Sequence, residues 1–532
     1  MKRPATGPGF KAARPPDPSL SLGMTAEGCP TVLANDAHDA ELLAQARPAN
    51  WINPPPARCY NLVVIGGGTA GLVTAVGAVG LGAKVALIEK SLLGGDCLGF
   101  GCVPSKALLR SARFYADLDR AGTFSGGDPV PSEADFAAAM ERMRRLRAQL
   151  SRRDSAERLA GLGVDVFLGE AAFVDRNHVA VAGEKLAFKK AVIATGSRAA
   201  RPEIEGIEAA GYLTNETVFN LTARPRRLLV VGGGPLGCEL AQAFARLGSE
   251  VTLATQTPYF LPDEERDAAE ILAESLRRDG IDVRLNTLVK SVVLDRGEKR
   301  ARLIDYDQDT TVGVDEILAG VGRAPNVEGL NLEAAGVEYD REHGVRVNDF
   351  LRTTNRRIYA AGDVALEQKY THMADATARL VIQNALFWGR KRLSSLTVPW
   401  CTYTDPEIAH VGAYVDEARE RGFRMKTFTV PMSESDRAVL DGDEEGFVKI
   451  HVREGTDTIL GATIVARHAG EMINEISLAM VAGIGLSTLS QVIHSYPTQA
   501  EAIRKAGDAY NRTRFTPFLA RISRRWLAWS RR

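Results

Sequence analysis

NLVVIGGGTAGLVTAVGAVGLGAKVALIEK, residues 61–90, is an apolar run, a G-x-G-x-x-G turn, an apolar helix and a second apolar run. RLLVVGGGPLGCELAQAFARLGSEVTLATQ, residues 227–256, repeats it. A constant offset of 166 residues carries Gly66, Gly68 and Gly71 onto Gly232, Gly234 and Gly237, and Val85 onto Val251. One such turn is a weak signal. Two in register, each inside a strand–turn–helix–strand unit, are a strong one. The glycines let the backbone approach a pyrophosphate, and the helix N-terminus turns a positive dipole towards it. Two dinucleotide-binding folds are expected, rather than two glycine-rich packing turns.

The copies differ where ribose recognition lies. Copy one ends its second strand with Glu89, a carboxylate suited to a ribose diol. Copy two has Thr255 at the matching position, with no arginine immediately beside it. The first site is therefore read as taking an adenosine with a free 2′-hydroxyl. The second is read as taking NADH or NADPH, with a lean towards NADPH because Thr255 would not repel a 2′-phosphate.

Composition sets the frame. At about 100–200 residues per domain, 532 residues predict three or four domains. Lys+Arg and Asp+Glu both total 66, so the net charge is zero and no basic field favours nucleic acid. Six unevenly spaced cysteines exclude a disulfide-stapled secreted scaffold. The uncharged stretch 61–83 is long enough for a membrane span, but its glycines suit a strand, turn and helix better. The N-terminus is basic and lacks the continuous apolar core of a signal peptide. Residues 1–58, rich in Pro and Ala without periodicity, are expected to be a mostly disordered extension.

Between the copies lies GGDCLGFGCVPSK, residues 94–106. On one regular helix Cys97 and Cys102 would stand about 500° apart in rotation, facing different sides. They can meet only if Cys97 precedes the helix. Gly99 and Gly101 ease that bend and Pro104 suits a first turn. Cys102 would then sit at a helix N-terminus, where a thiolate is stabilised, with Lys106 on the same face. Two buried, inert cysteines are the alternative. No Cys/His spacing matches a zinc site, and no metal ligand set is expected.

Together with the two folds, ATGS (194–197) and YAAGDVA (359–365), this motif resembles the flavin-dependent pyridine nucleotide–disulfide oxidoreductases over roughly residues 59–515. The resemblance implies an α/β chain with two Rossmann-like domains, for FAD and NAD(P), and a C-terminal α+β dimerisation domain. The implied segments are 59–205 and 331–397 for the FAD domain, 206–330 for the NAD(P) domain, 398–511 for dimerisation and 512–532 for a tail. It implies FAD in the first fold and NAD(P)H in the second. Asp363 would bind the ribityl–phosphate region, and Thr195, Gly196, Gly322 and Gly362 would join the cofactor-binding set. Lys106 would pair with Glu239 beside the flavin ring. Cys102 would be the thiol that contacts the flavin and Cys97 the one that attacks substrate.

Within the family, CELAQAFARLGSEVTL (238–253) most resembles the mercuric reductases. Disulfide reductases carry His-Pro-Thr-x-x-Glu near the C-terminus, the His as proton donor and the Glu as its orienter. Here HSYPTQAE (494–501) places Tyr496, not His494, at the histidine position, with Glu501 following. A mercuric reductase has tyrosine there too, and Tyr212 resembles its second metal-proximal tyrosine. This chain departs from that pattern in having no cysteine after Cys401, where the vicinal pair that passes Hg(II) inward would be. Histidine, near pKa 6.5, shuttles protons at neutral pH, whereas tyrosine, near about 10, does so poorly. A soft metal ion between two thiolates needs no such donor. The expected acceptor is a metal ion, a quinone or another small molecule. A disulfide or quinone reductase, and a redox-sensing flavoprotein with little turnover, are the alternatives; His494, two residues from Tyr496, is read as structural ahead of a proton donor that swings in.

The resemblance also implies a homodimer in which the C-terminal loop of one subunit completes the other's cysteine site. Residues 133–162, apolar at helical spacing and rich in arginine, are expected as long helices of the flavin domain, not a nucleic-acid element. The tail 509–532 has seven arginines, no acid and interleaved aromatics. It is read either as a peripheral contact with the inner face of a membrane or as a helix packed on the dimer. The expected location is cytoplasmic.

Overall fold

The computed structural model describes residues 36–125, 134–306 and 308–531. Residues 61–90 fold at the heart of a parallel sheet. Its strands run Asp165–Leu168, Val85–Glu89, Tyr60–Ile65, Glu184–Ile193 and Ile358–Ala360, with Val64 between Leu87 and Val192. Leu62, Val64 and Leu87 enter one apolar layer, while Val63, Ile65 and Ile88 enter another on the opposite face. A sheet covered on both faces explains why these strands read as unbroken apolar runs. Between Ile193 and Ile358 the chain leaves and builds the second unit. There Asp282–Arg284, Glu250–Ala254, Arg227–Val231 and Glu316–Ala319 form a second parallel sheet. Each unit also carries a three-stranded antiparallel meander, at residues 171–193 and 288–314.

The repeat extends to atomic detail. Gly66 has φ +106° and Gly232 φ +113°, and a Cβ on either would stand 2.3 Å from a carbonyl oxygen, of Ala194 and Gly320 respectively. A Cβ on Gly71 or Gly237 would collide with the Gly66 or Gly232 carbonyl. Gly68 and Gly234 begin the helices Thr69–Gly80 and Pro235–Arg246.

The C-terminal unit is a five-stranded antiparallel sheet ordered Pro399–Thr402, Glu407–Gly412, Ile459–Ala466, Phe447–Arg453, Met425–Pro431. Helices Ala469–Val481 and Glu501–Arg514 cover it through Ile473, Ile476 and Ile503. The architecture is the α/β class expected, two Rossmann-like units and an α+β unit.

The N-terminal extension departs from expectation. Residues 1–35 lie outside the described residues, but residues 36–58 are ordered. Helix Ala37–Ala46 is capped by the Asp36 carboxylate, which accepts from the N–H groups of His38 and Asp39, and it buries Asp39, Leu42 and Ala46. Ten residues are too few to hold a helix in isolation. This one is stabilised by helix Phe136–Ser151, about a hundred residues later, which local periodicity cannot reveal.

At the other end, helix Pro517–Trp529 buries no residue. Phe518, Ile522, Trp526 and Trp529 share one exposed face, and the arginines lie on another. Among the described residues, no helix is long and apolar enough to cross a membrane.

Candidate functional site

The two cysteines come together through a break in the helix. Cys97 lies in the single turn Gly95–Gly99, and Cys102 is the first residue of Cys102–Asp119. Gly95 makes this turn possible: at φ +60°, a Cβ there would stand 2.6 Å from the Cα of Gly68. Gly94 N–H also donates to the Gly67 carbonyl at 2.9 Å. The dithiol loop therefore rests on the first glycine turn.

Around the sulfurs the charges are ordered. Cys102 Sγ lies 3.2 Å from the Thr371 hydroxyl. Lys106 Nζ donates to Glu239 Oε2 at 2.7 Å, and Glu239 Oε1 accepts from Tyr403 N–H at 2.9 Å. Glu239 is buried, and its carboxylate outweighs the burial of Lys106 to hold that ammonium above its ordinary value. The hydrogen bond from Cys97 pulls Cys102 down against burial, helped by Thr371 and Lys106, to about 6. The same bond, with burial, pushes Cys97 far up. Both directions favour the thiolate on Cys102, the cysteine nearer Lys106 in sequence and the one whose thiol its charge lowers.

The loop between the cysteines is held from both sides. Asn215 Nδ2 donates to Asp96 Oδ1 at 2.9 Å and to Phe100 O at 3.2 Å. Arg323 pairs with Asp96 at 3.1 Å and lies 3.8 Å from Asp363. Arg147 donates to Gly99 O at 2.9 Å.

The residues present fit two dinucleotides. A Cβ on Gly234 would meet nothing within 4 Å, and one on Gly68 only Gly95 Cα at 3.7 Å, so both helix N-termini open onto free space. Glu89 accepts from the N–H groups of Gly67 and Ser91, both at 2.5 Å. A carboxylate has about four acceptor sites, so two remain for a ribose diol. Burial raises its pKa, which a pair of donors there would counter. Thr255 occupies the equivalent place, its hydroxyl 2.9 Å from that of Thr257. Asp363, beside Gly362 (φ +74°), accepts from Ser197 at 2.6 Å. Thr195 and Gly196 clasp the crossing between the units: Thr195 Oγ1 donates to Asn326 O at 2.7 Å, and Asn326 N–H to Gly196 O at 2.9 Å. Gly322 (φ +125°) turns the chain into that crossing.

The C-terminal candidates lie apart. Tyr496 is 72% exposed and donates to Asp436 at 2.8 Å, a bond that raises its pKa. Glu501 pairs with Arg504 at 2.6 Å, and His494 lies 3.2 Å from Glu475. Among the described residues, none of the three bonds to the dithiol cluster of its own chain. Tyr212 sits 3.4 Å from Glu208.

Thr371, Tyr403, Asn215, Arg323 and Arg147 were not foreseen, nor was Cys401, whose thiol burial pushes well above its ordinary value, close enough to Lys106 to feel its charge. Arg323, directly after Gly322, was the one within reach of sequence reasoning. The others lie in segments whose family likeness marks a fold element and not a contact with the cysteines.

Residues 60–379 match the family Pyridine nucleotide-disulphide oxidoreductase, and residues 398–507 match its dimerisation domain. A mercuric reductase of Lysinibacillus sphaericus is 34% identical over 458 residues, 85% of this chain and 83% of that one. A dihydrolipoyl dehydrogenase of Thermus scotoductus is also 34% identical, covering 86% and 98%. Among solved structures, the HOCl-induced flavoprotein disulfide reductase RclA from Escherichia coli aligns with a TM-score of 0.75 at 30% identity, covering 84% of this chain and 99% of that one. A Cu(II) complex of the same reductase aligns equally well.

Proposed function

Because the chain belongs to the pyridine nucleotide-disulphide oxidoreductase family, whose members use FAD and NAD(P)H, we propose that it is a homodimeric NAD(P)H oxidoreductase that delivers electrons through Cys97 and Cys102 to a thiophilic metal ion. The observation that carries this reading is the placing of the two cysteines: Cys97 in the turn before the helix, Cys102 at the helix N-terminus 3.2 Å from the Thr371 hydroxyl, with Lys106 one turn on, held by Glu239 at 2.7 Å. FAD supplies the relay of two electrons between nicotinamide and sulfur. Gly66, Gly68, Gly71, Glu89 and Asp363 would hold it, and Gly232, Gly234, Gly237 and Thr255 would hold NAD(P)H. Lys106 keeps a positive charge against Cys102, and Glu239, oriented by Tyr403 N–H, keeps Lys106 in place.

Tyr496 decides between acceptors. In a homodimer its loop serves the partner's dithiol. Reducing a disulfide requires a proton for the leaving thiolate, and a tyrosine bonded to Asp436 is a poor source of one. A soft cation held by two sulfurs accepts electrons without that proton. Mercuric reductases among the relatives, and the Cu(II) complex of the Escherichia coli neighbour, support the choice. The second reading, a disulfide reductase, is favoured by the His494–Glu475 pair two residues from Tyr496, by the dihydrolipoyl dehydrogenase among the relatives and by the disulfide reductase among the solved neighbours.

With NAD(P)H in excess, Hg(II) in the presence of added thiol, or Cu(II), should be turned over faster than lipoamide or glutathione disulfide. Tyr496→His should raise disulfide reduction about tenfold or more. Lipoamide turnover at hundreds per second, with no metal-dependent NAD(P)H consumption, overturns the reading in favour of His494.

The tail helix suits an anionic lipid surface. Its aromatic face matches the acyl boundary, and its arginines match acidic headgroups. The enzyme should sediment with phosphatidylglycerol vesicles and not with phosphatidylcholine vesicles. Truncation after Phe515 should remove binding and leave turnover intact. Equal recovery with both vesicles, or a truncated enzyme that falls apart into monomers, assigns the helix to the dimer instead.

A further inference from the structure

Two arginines of helix Phe136–Ser151 face inwards. Arg147 is fully buried, among the largest such side chains, and Asp39 of the N-terminal helix is buried with it. Arg147 NH2 donates to Asp39 Oδ1 at 2.7 Å, and NH1 to the carbonyl of Gly99 at 2.9 Å. One turn earlier, Arg144 donates to Asp36 Oδ2 at 2.6 Å. Gly99 stands between Cys97 and Cys102.

The same N-terminal segment touches the other end of the dithiol loop. Leu93 N–H donates to Ala46 O at 3.0 Å, and the Arg47 guanidinium donates to the carbonyls of Lys90 and Ser91, next to Glu89. Farther on, Asn53 makes a reciprocal pair with Leu168, at 3.1 and 2.8 Å, on the edge strand of the sheet. Residues 36–53 thus form a strap anchored to the flavin-fold sheet; it bonds directly to the start of the loop 90–101 and reaches Gly99, near the loop's end, through Arg147.

We infer that this strap is a positioning element for the redox centre: Asp39 orients Arg147, and Arg147 holds the Gly99 carbonyl so that the two sulfurs keep their contact. The inference rests on the dithiol reading of the function. Energetics favour a positional role over a purely stabilising one. Burial pushes Asp39 up and Arg147 down, so the pair carries a desolvation cost that apolar side chains would not. What apolar side chains cannot supply is a charge-assisted hydrogen bond to a loop carbonyl. Sulfur chemistry is sensitive to that placement, since a shift of about 1 Å in a reacting group costs up to about a hundredfold in rate.

The test uses the holoenzyme with Asp39→Leu combined with Arg147→Met, which removes the bond to Gly99 while leaving an apolar, packable site. FAD content, melting temperature and the rate of flavin reduction by NAD(P)H should stay at wild-type values. Electron delivery to acceptor should fall about tenfold. In the two-electron-reduced enzyme the long-wavelength absorbance of thiolate against flavin should weaken. Iodoacetamide labelling at neutral pH, read by mass spectrometry, should lose its selectivity between Cys97 and Cys102. Asp39→Asn, whose amide oxygen still accepts from Arg147, keeps the fold and should move the same readouts the same way by about threefold. Wild-type absorbance, labelling and delivery in a folded double variant, or in Asp39→Asn if the double variant does not fold, overturn the strap alone. A wild-type enzyme that turns over undiminished after both cysteines are alkylated overturns the dithiol reading and this inference with it.

Discussion

Cys102→Ser abolishes acceptor reduction while leaving a yellow, NAD(P)H-reducible protein. The expected loss in turnover is at least about a thousandfold, because a serine hydroxyl does not ionise where a thiol does. The long-wavelength absorbance of the reduced enzyme disappears with it. Cys97→Ser loses acceptor turnover to a similar degree but keeps a thiolate at position 102, so its absorbance band stands without added reductant. The pH dependence follows from the same charges. Cys102 is held at about 6, so its thiolate is present above that pH and is lost as the pH falls through it. Delivery to acceptor should therefore decline below about pH 6 in wild type. Stopped-flow traces of NAD(P)H oxidation with and without acceptor measure both effects. Identical behaviour of the two serine variants would refute the division of labour between the sulfurs.

Gly66→Ala and Gly232→Ala separate the two cofactor sites. Both positions have strongly positive φ and a carbonyl oxygen 2.3 Å from where the Cβ would stand. That oxygen is a backbone carbonyl one residue past the end of a neighbouring strand, so no side-chain rotation relieves the clash. Gly66→Ala disturbs the centre of the larger sheet, and the expected product is insoluble or free of FAD. Gly232→Ala disturbs only the second unit. It should remain yellow, with its KM for NAD(P)H raised about a hundredfold or more, equivalent to about 2.7 kcal/mol. Absorbance at purification and steady-state kinetics report these outcomes. A Gly232→Ala enzyme with wild-type KM would remove the second glycine turn from the nucleotide site.

Much of the site was legible because its constraints are local. The turn at Gly66 is decided by atoms five residues away, at Gly71, and by one crossing strand, and the same geometry recurs 166 residues later. The bend between Cys97 and Cys102 could be inferred from helical rotation alone. The ordered segment 36–58 was not legible. Its helix has only three inward residues, and a Pro-rich neighbourhood masks them. Residues 133–162 are expected from the sequence only as long arginine-rich helices. Nothing in the spacing separates Arg144 and Arg147, whose carboxylate partners lie 108 residues upstream, from their exposed neighbours.

The sequence by itself marked the two glycine turns, the spacing of Cys97 and Cys102 and, through the family resemblance, Tyr496 at the position of the disulfide reductases' histidine. Each of these depends on backbone torsions, helix register or residue identity within about a dozen positions. Only the tertiary structure decided which donors and charges surround the two sulfurs and what braces their loop. Thr371 reaches Cys102 across 269 residues, Glu239 reaches Lys106 across 133, and Arg147 reaches Gly99 across 48. A thiol pKa is set by whichever donors and charges lie within a few ångströms. Those neighbours come from two folded units that meet only when the whole chain has packed.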